Sequence, residues 1–271
     1  MNYLIAMKGV FYAFVLMTIT ISSFCQVDTL TRRGKNSIQF EIGAVHYRMI
    51  DEGYTQSKLP FTGTNTKYNL GYARENGNYF FQFQFSGSSG QVKSLSGDLP
   101  SDFSVIHPSI AYLRNLKLSA LRRVDFYAGI HVSSINFVLQ NDPVIDNLDI
   151  FSLHGAYASL QGRFKFGKRQ TIRLSYLIPL VVYSNRVLWN SGASKFTYDD
   201  KDHALKTITS NGNFQYGKVF STDQFKAEYI LKLGAVVDFQ VTYQFFYSNS
   251  FIQAPVRLYS NELLTGFKFN F

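Results

Sequence analysis

Two short stretches of the sequence carry side chains that could do chemistry. In His131-Val132-Ser133 a histidine and a serine stand two residues apart, so on a strand both would project from the same face. A histidine that accepts the proton of a serine hydroxyl makes that oxygen a nucleophile, which is the first requirement for ester hydrolysis. The run YDDKDH (198–203) groups Asp200, Asp202 and His203, residue types that serve acid–base chemistry.

Both stretches also have an ordinary structural interpretation. Polar side chains at alternate positions are typical of any strand with one wet face, and a run of charges in an exposed loop is usually solvated. One histidine with flexible aspartates is a weak ligand set for a metal. We therefore predict no metal and no cofactor, and His131 and Ser133 are kept as candidate catalytic residues.

The first 25 residues have the layout of a secretory signal. MNYLIAMKG carries one lysine, VFYAFVLMTITI is apolar, and SSFCQ supplies small residues before a predicted cleavage between Cys25 and Gln26. A lipoprotein signal would make Cys25 the first mature residue, but Phe24 is bulky where such a signal needs a small side chain. A retained membrane anchor is the other alternative, and the apolar run is short for a span.

Composition narrows the class of protein. The chain has 271 residues with 26 Phe, 18 Tyr and a single cysteine, Cys25, which the cleavage would remove, so no disulfide is expected. Phenylalanine and tyrosine favour strands and membrane interfaces. The formal net charge is +9, and in an exported protein lipid head groups are the expected counter-charge rather than nucleic acid.

Period-two alternation recurs along the mature chain and predicts strands. In QTIRLSYLIPLVV, for example, Ile172, Leu174 and Tyr176 share one face and Arg173 lies on the other. The longest apolar run, 176–183, is too short for a helical span. We predict ten strands: 37–49, 65–75, 78–86, 104–115, 123–135, 151–166, 170–184, 225–233, 237–247 and 261–271.

The connections between these strands alternate in length, which indicates the architecture. Short turns alternate with long polar connections at 50–64, 87–103, 136–150, 185–224 and 248–260. This asymmetry, with an even strand count, predicts a transmembrane up-and-down antiparallel β-barrel with short periplasmic turns and long extracellular loops. A soluble β-sandwich is the alternative, but a sandwich has no reason to segregate its loop lengths.

The chain ends on LLTGFKFNF, an alternating strand that would close such a barrel. Phe267, Phe269 and Phe271 would face lipid, with Lys268 and Asn270 inside. In this ending the chain resembles the outer-membrane β-barrel proteins of Gram-negative bacteria. The resemblance implies an outer-membrane location, surrounding lipid and lipopolysaccharide, and a terminal strand that the barrel-assembly machinery reads through these three phenylalanines.

The domain organisation follows from these elements. Residues 1–25 form the predicted signal, 26–36 a short periplasmic segment, and 37–271 the barrel with its long loop 185–224. Strand parity directs a set of charged side chains into the lumen, namely Glu41, Lys67, Asp125, Arg163, Lys165, Arg173, Glu228, Lys232, Asp238 and Lys268. These charges could pair across the lumen and fill it, or could line a narrow conduit biased toward anions.

Two further resemblances bear on enzymatic activity. His131-x-Ser133 is similar to the His-x-Ser arrangement of outer-membrane lipid A deacylases, although Ser134 stands where that family has Asn and no Glu follows on the next strand. Residues 198–203 resemble the acidic and histidine residues of the omptin proteases, but loop 87–103 offers only Asp98 and Asp102 for the second acidic pair.

The expected function is therefore a non-enzymatic structural or accessory component with a largely filled lumen. Aromatic residues in loop 185–224 could dock a partner protein of the envelope or fold over the barrel mouth. The alternatives are a small-solute channel and a lipid A or phospholipid acyl hydrolase, and no nucleic-acid partner is expected.

Overall fold

The computed structural model describes most of the chain after its first 33 residues. The described ranges are 34–51, 60–94, 100–117, 124–140, 147–190, 213–215, 221–252 and 254–271. The predicted signal peptide, most of the 26–36 segment and most of loop 185–224 lie outside them. Within the described ranges, no helix is long and apolar enough to cross a membrane.

Eleven strands account for nearly all of the described residues. Ten are long and one, β8, has three residues. They are β1 Lys35–Asp51, β2 Pro60–Glu75, β3 Tyr79–Ser94, β4 Pro100–Asn115, β5 Val124–Gln140, β6 Asn147–Phe166, β7 Gln170–Asn190, β8 Asn213–Gln215, β9 Ser221–Lys232, β10 Val237–Ile252 and β11 Ala254–Asn270.

The ten long strands form a closed antiparallel barrel. Each pairs with its sequence neighbours, and β1 pairs with β11 from Ser37↔Asn270 to Asp51↔Val256, which closes the ring. Since a closed barrel satisfies its backbone hydrogen bonds internally, it can stand in lipid. The predicted fold class is confirmed, and all ten predicted strands are present.

One end of the barrel carries the short connections 76–78, 167–169 and 233–236, and we call it the turn end; the opposite end is the loop end. At the β2–β3 turn, Asn76 Oδ1 accepts hydrogen bonds from the backbone N–H groups of Asn78 and Tyr79, both at 2.9 Å. At the β6–β7 turn, Gly167 has a φ of 64°, a conformation that glycine adopts without steric cost.

The apolar face changes sides along several strands, of which β1 is an example. In the turn-end half of β1, Ile38, Phe40 and Ile42 point outward and are exposed, while Gln39 and Glu41 are buried inside. In the loop-end half of the same strand the pattern reverses. There the inward residues are Val45, Tyr47 and Met49, and the outward residues are His46 and Arg48.

This reversal separates a membrane-spanning part from a part beyond the bilayer. A transmembrane strand needs about 9–11 residues, whereas β1 has 17 and β7 has 21. The remaining residues carry the barrel wall past the apolar belt at the loop end, where water is outside and the apolar side chains must turn inward.

The predicted strands were therefore too short at the loop end of the barrel. The predicted loops 87–103 and 248–260 lie largely inside strands, and β10 and β11 are separated by residue 253 alone. The outward apolar face ends at these positions, which resembles a strand end in the sequence, although the strand continues with its apolar face inward.

Buried apolar side chains fill the loop-end half of the lumen. The cluster, which we call the apolar plug, consists of Val45, Tyr47, Met49, Phe61, Val92, Phe103, Val105, Ile135, Phe137, Leu139, Phe151, Leu153, Tyr157, Leu177, Val182, Phe246, Val256 and Leu258. The turn-end half is mainly polar and charged, apart from a smaller apolar cluster of Ala73, Phe80, Leu113 and Tyr127. The lumen therefore has two layers of opposite chemistry.

Candidate functional site

The charged layer of the lumen is organised around Glu228 on β9. Arg173 Nη1 on β7 lies 2.9 Å from Glu228 Oε2, and Lys226 Nζ lies 2.9 Å from Oε1. Gln240 Nε2 donates to the same Oε1 at 3.0 Å. A carboxylate removed from water needs this many partners, because an unpaired buried charge is costly.

Gln240 links Glu228 to a second buried carboxylate, Glu41 on β1. Its Nε2 also lies 3.1 Å from Glu41 Oε1. Asn69 Nδ2 and Thr242 Oγ1 donate to the Glu41 oxygens as well. Glu41 is thus held by hydrogen bonds from amide and hydroxyl groups, and no ion pair to it is found among the described residues.

Arg163 on β6 extends the layer across the lumen. Its Nη1 pairs with Glu75 at the end of β2, and its Nε donates to Gln161 Oε1 at 3.2 Å. The guanidinium carbon lies 4.8 Å from the ring centroid of Phe80 and 4.5 Å from that of Tyr127. Arg173 faces the same Phe80 ring at 5.0 Å, so both arginines contact one aromatic ring.

The remaining predicted lumen charges lie at the turn-end rim. Asp125 pairs with Lys165 at 2.6 Å, and both side chains are partly exposed. Asp238 accepts a hydrogen bond from Asn270 Nδ2 at 3.0 Å. Lys268 is partly buried beside this layer, whereas Lys232 is exposed and stands outside it.

Three members of the layer were missed in the sequence, namely Glu75, Lys226 and Glu262. Lys67 Nζ pairs with Glu262 Oε2 at 2.6 Å, both side chains being buried. Strand parity would have directed all three inward. The signal was present, but only the pairing across the lumen shows which charges meet.

Between the two layers lies a small polar cavity. Its volume is about 50 Å³, and its lining includes His107, His131, Ser159, Gln84 and Lys226. A cavity of this size holds about four water molecules at most. No group of three or more His, Cys, Asp or Glu side chains in the described part of the chain is arranged to hold a metal ion.

The apolar plug closes this cavity on the loop side. Aromatic rings contact one another across four strands: Tyr47 with Phe103 at 4.9 Å, Phe103 with Phe137 at 6.2 Å, and Phe137 with Phe151 at 5.9 Å between centroids. The Tyr47 hydroxyl lies 2.6 Å from Ser88 Oγ, so its polar end is satisfied inside the plug.

The candidate catalytic residues His131 and Ser133 point into this closed lumen. The His131 ring packs edge-on against Tyr157, with centroids 6.1 Å apart. No hydrogen bond between His131 and Ser133 is found among the described residues. A lipid ester in the surrounding bilayer would have to pass through the barrel wall to reach them.

A different serine–histidine pair lies on the outer face of the wall. Ser134 Oγ on β5 is 2.7 Å from His154 Nδ1 on β6. The sequence offered no signal for it, because the two residues are 20 positions apart and meet only through the β5–β6 register.

The other sequence-predicted residues take these positions. Phe267, Phe269 and Phe271 are exposed on the outer face of the closing strand or just after it. Residues 198–203 lie outside the described ranges, so the acidic and histidine cluster stays a prediction.

Several solved structures of known proteins are similar to this chain. The outer membrane protease OmpT from Escherichia coli matches 91% of this chain and 99% of its own, with a TM-score of 0.61 and 9% sequence identity. Neisserial surface protein A matches 88% and 100%, at a TM-score of 0.38 and 10% identity. The toluene transporter TodX of P. putida matches 89% and 90%, at a TM-score of 0.34 and 9% identity.

The comparison with OmpT shows the fold and nothing finer, because the identity is low. Searches against protein-family models and curated proteins give no match. The predicted resemblance to outer-membrane β-barrel proteins is confirmed at the level of the fold.

Proposed function

We propose that this chain is a non-conducting outer-membrane protein, a structural or accessory component that docks another component of the envelope. The observation that carries the proposal is the lumen, which is filled by paired charges in one half and by the apolar plug in the other. Because the lumen is filled, contact with other molecules takes place on the outer face and at the loop end of this barrel.

Charge pairing in the turn-end half argues against an anion-biased conduit. Arg173 and Lys226 both contact Glu228, and Arg163 contacts Glu75, so each of these cations already has a protein carboxylate as a partner. An entering anion would have to displace these partners, which costs several kcal/mol per buried pair.

The apolar plug argues against any aqueous path. Tyr47, Phe103 and Phe137 contact one another where a continuous water file would have to run. Hydrating buried apolar surface costs about 25 cal/mol per Å². The small-solute channel is therefore the weaker alternative.

Planar-bilayer recording tests the closed lumen. The refolded full-length mature protein is expected to give no steady current, while an open porin added to the same bilayer reports that the assay works. A steady open-state current that scales with the amount of inserted protein would overturn the proposal.

We place the docking role at the loop end of the barrel, near β8. Phe214 on this short strand is 70% exposed, although β8 is held to β7 through Tyr183↔Phe214. An exposed aromatic ring on a paired strand suits a contact with another protein. We propose loop 185–224 as the docking element.

Mild detergent extraction followed by co-purification tests docking. The proposal expects a stable envelope partner that is lost when residues 191–212 are replaced by a short Gly-Ser linker. A monomer without partners from wild-type cells would contradict it.

The acyl-hydrolase alternative is favoured by one observation, the hydrogen bond between Ser134 and His154 on the lipid-facing wall. It predicts loss of an acyl chain from lipid A or phospholipid on expression, absent in Ser134→Ala and retained in Ser133→Ala. Unchanged lipid masses with the wild-type protein would end this alternative.

A further inference from the structure

One cross-strand row on the outer wall joins polar and aromatic side chains. Ser134, His154, Tyr183 and Phe214 are successive partners across β5, β6, β7 and β8. Ser134 Oγ lies 2.7 Å from His154 Nδ1, His154 stacks on Tyr183 at 6.2 Å, and Tyr183 contacts Phe214 at 5.0 Å. We call these four residues the interface row.

A chain of hydrogen bonds on the outer wall leads to the histidine of this row. Ser152 Oγ donates to Asn136 Oδ1 at 2.9 Å, and Asn136 Nδ2 donates to Ser134 Oγ at 3.1 Å. With Asn136 as a donor to Ser134 Oγ, the Ser134 hydroxyl can give its own hydrogen to His154 Nδ1, and we take His154 in the neutral tautomer that accepts it. A neutral imidazole that accepts at Nδ1 carries its hydrogen on Nε2, so His154 presents a donor for which no described residue is an acceptor.

The interface row lies at the boundary between two environments. The next outward row toward the turn end is Val132, Ala156 and Val181, all apolar. The next row toward the loop end includes Asn136 and Ser152, which are polar. Aromatic and amphipathic side chains gather where acyl chains meet lipid head groups, and this row has that composition.

The outer wall carries a shallow groove at this level. A groove of about 450 Å³ runs over the small side chains of Ser134 and Ala156, with Phe83 at one side and Phe214 at the other. It is continuous with the lipid-facing Ile110 and Val132. Because this apolar groove opens directly onto the lipid-facing belt, acyl chains of bilayer lipids fill it.

We propose that this groove binds an ester-linked acyl chain of a membrane lipid, with the ester carbonyl accepting a hydrogen bond from His154 Nε2. None of the described residues that line the groove is a lysine, an arginine or a carboxylate. The site therefore recognises a neutral carbonyl rather than a phosphate. This inference stands independently of whether the lumen conducts.

Native mass spectrometry of the delipidated full-length barrel, titrated with a short-chain diacyl phosphatidylcholine, tests the site. The wild-type protein is expected to retain one lipid. The dialkyl ether analogue, which lacks the carbonyl, is expected to bind about fivefold more weakly, the effect of losing one neutral hydrogen bond. His154→Phe is expected to abolish this preference for the ester.

Two alanines on the same face of β6 supply a matched pair of variants. Ala156→Leu places a branched side chain in the groove and is expected to prevent retention of the lipid. Ala158 lies two residues nearer the turn end, outside the groove lining. Ala158→Leu is therefore expected to bind as wild type does.

Heat-modifiable gel mobility establishes that each variant is folded before binding is compared. The proposal is overturned if folded Ala156→Leu retains lipid like wild type, or if the ester and ether lipids bind wild type equally. A folded His154→Phe that keeps the ester preference would likewise contradict the carbonyl contact.

Discussion

Lys67 and Glu262 form an ion pair across a strand that lies between them. Lys67 belongs to β2 and Glu262 to β11, and β1 separates the two strands in the wall. Their charged atoms are 2.6 Å apart, and both side chains are almost fully buried. The β1 residue paired with Lys67 is Gly43, which has no side chain to stand between them. The pair thus connects both neighbours of β1 at the seam where the first and last strands meet.

Breaking this pair from one side is expected to destabilise the barrel. Glu262→Gln leaves the Lys67 ammonium buried without its carboxylate, which costs about 3–5 kcal/mol. The double variant Lys67→Met, Glu262→Gln removes the charge as well and is expected to recover most of that loss. Reversible urea unfolding in lipid vesicles measures the free energy of unfolding of each variant.

An exposed ion pair in the same barrel serves as the control. Lys165 and Asp125 lie equally close, at 2.6 Å, but at the turn-end rim with both side chains partly exposed. Asp125→Asn is expected to cost less than about 1 kcal/mol, because water screens the pair. Equal losses for Glu262→Gln and Asp125→Asn would contradict a buried, unscreened pair.

Strand β5 illustrates how much of the fold could be predicted. Its sequence VDFYAGIHVSSINFVLQ alternates throughout, and the outward positions from Val124 to Val132 are apolar. Beyond Ser133 and Ser134 the inward positions become apolar instead, at Ile135, Phe137 and Leu139. Strand existence and facing followed from the first pattern. The strand end was missed because a change of environment and a change of structure look alike in the sequence.

The site was less predictable than the fold for a geometric reason. Arg163 was expected inside the lumen, but its partner Glu75 lies on β2, which is not adjacent to β6. Parity gives the face on which a side chain lies and does not give the partner across the lumen. Likewise, Ser134 meets His154 only through a strand register set by the full length of the hairpin.

On β5 the apolar residues lie on the outward face near the turn end and on the inward face near the loop end. This difference leads to a prediction about where the outer wall tolerates a charge. Ile130 and Gln140 both point outward and are exposed, but Ile130 lies in the apolar belt and Gln140 beyond it. Ile130→Arg places a cation in lipid and is expected to lower the free energy of unfolding by about 2 kcal/mol. Gln140→Arg is expected to change it by less than about 0.5 kcal/mol, because the side chain is in water.

Urea unfolding in vesicles compares these two variants with wild type. Similar losses at both positions would place the loop-end half of β5 inside the bilayer. That result would contradict the division of the barrel into a membrane-spanning part and an extended part.

The apolar plug predicts which lumen positions are reached from the loop end. Ser109 lines the small polar cavity beneath the plug. In a Cys25→Ser background, Ser109→Cys is expected to resist a membrane-impermeant thiol reagent. Adding Phe103→Ala and Phe137→Ala removes two contacting rings of the plug, and labelling is then expected to become rapid.

A cysteine on the outer face of the same strand controls for reagent quality. Ser104 lies on β4 at the loop end, pointing outward. Ser104→Cys is expected to be labelled whether or not the plug is intact. Fast labelling of Ser109→Cys with both phenylalanines present would mean that the plug does not seal the lumen.

A variant of the last residue, Phe271, distinguishes an effect on the stability of the barrel from an effect on its assembly in cells. Phe271 exchanges two backbone hydrogen bonds with Asn36, at 2.9 and 3.1 Å, which fasten the end of the chain to β1. Its side chain is 68% exposed and therefore contributes little to packing within the barrel. Phe271→Ala keeps both backbone bonds, so refolding in vitro and the free energy of unfolding are expected to stay close to wild type.

If the assembly machinery reads the Phe271 ring in cells, the folded fraction in the outer membrane falls for Phe271→Ala. It does not fall for Phe166→Ala, which removes an equally lipid-facing ring at the turn end of β6. Equal folded fractions for the two variants would remove the assembly role and leave Phe271 as an ordinary lipid-facing residue.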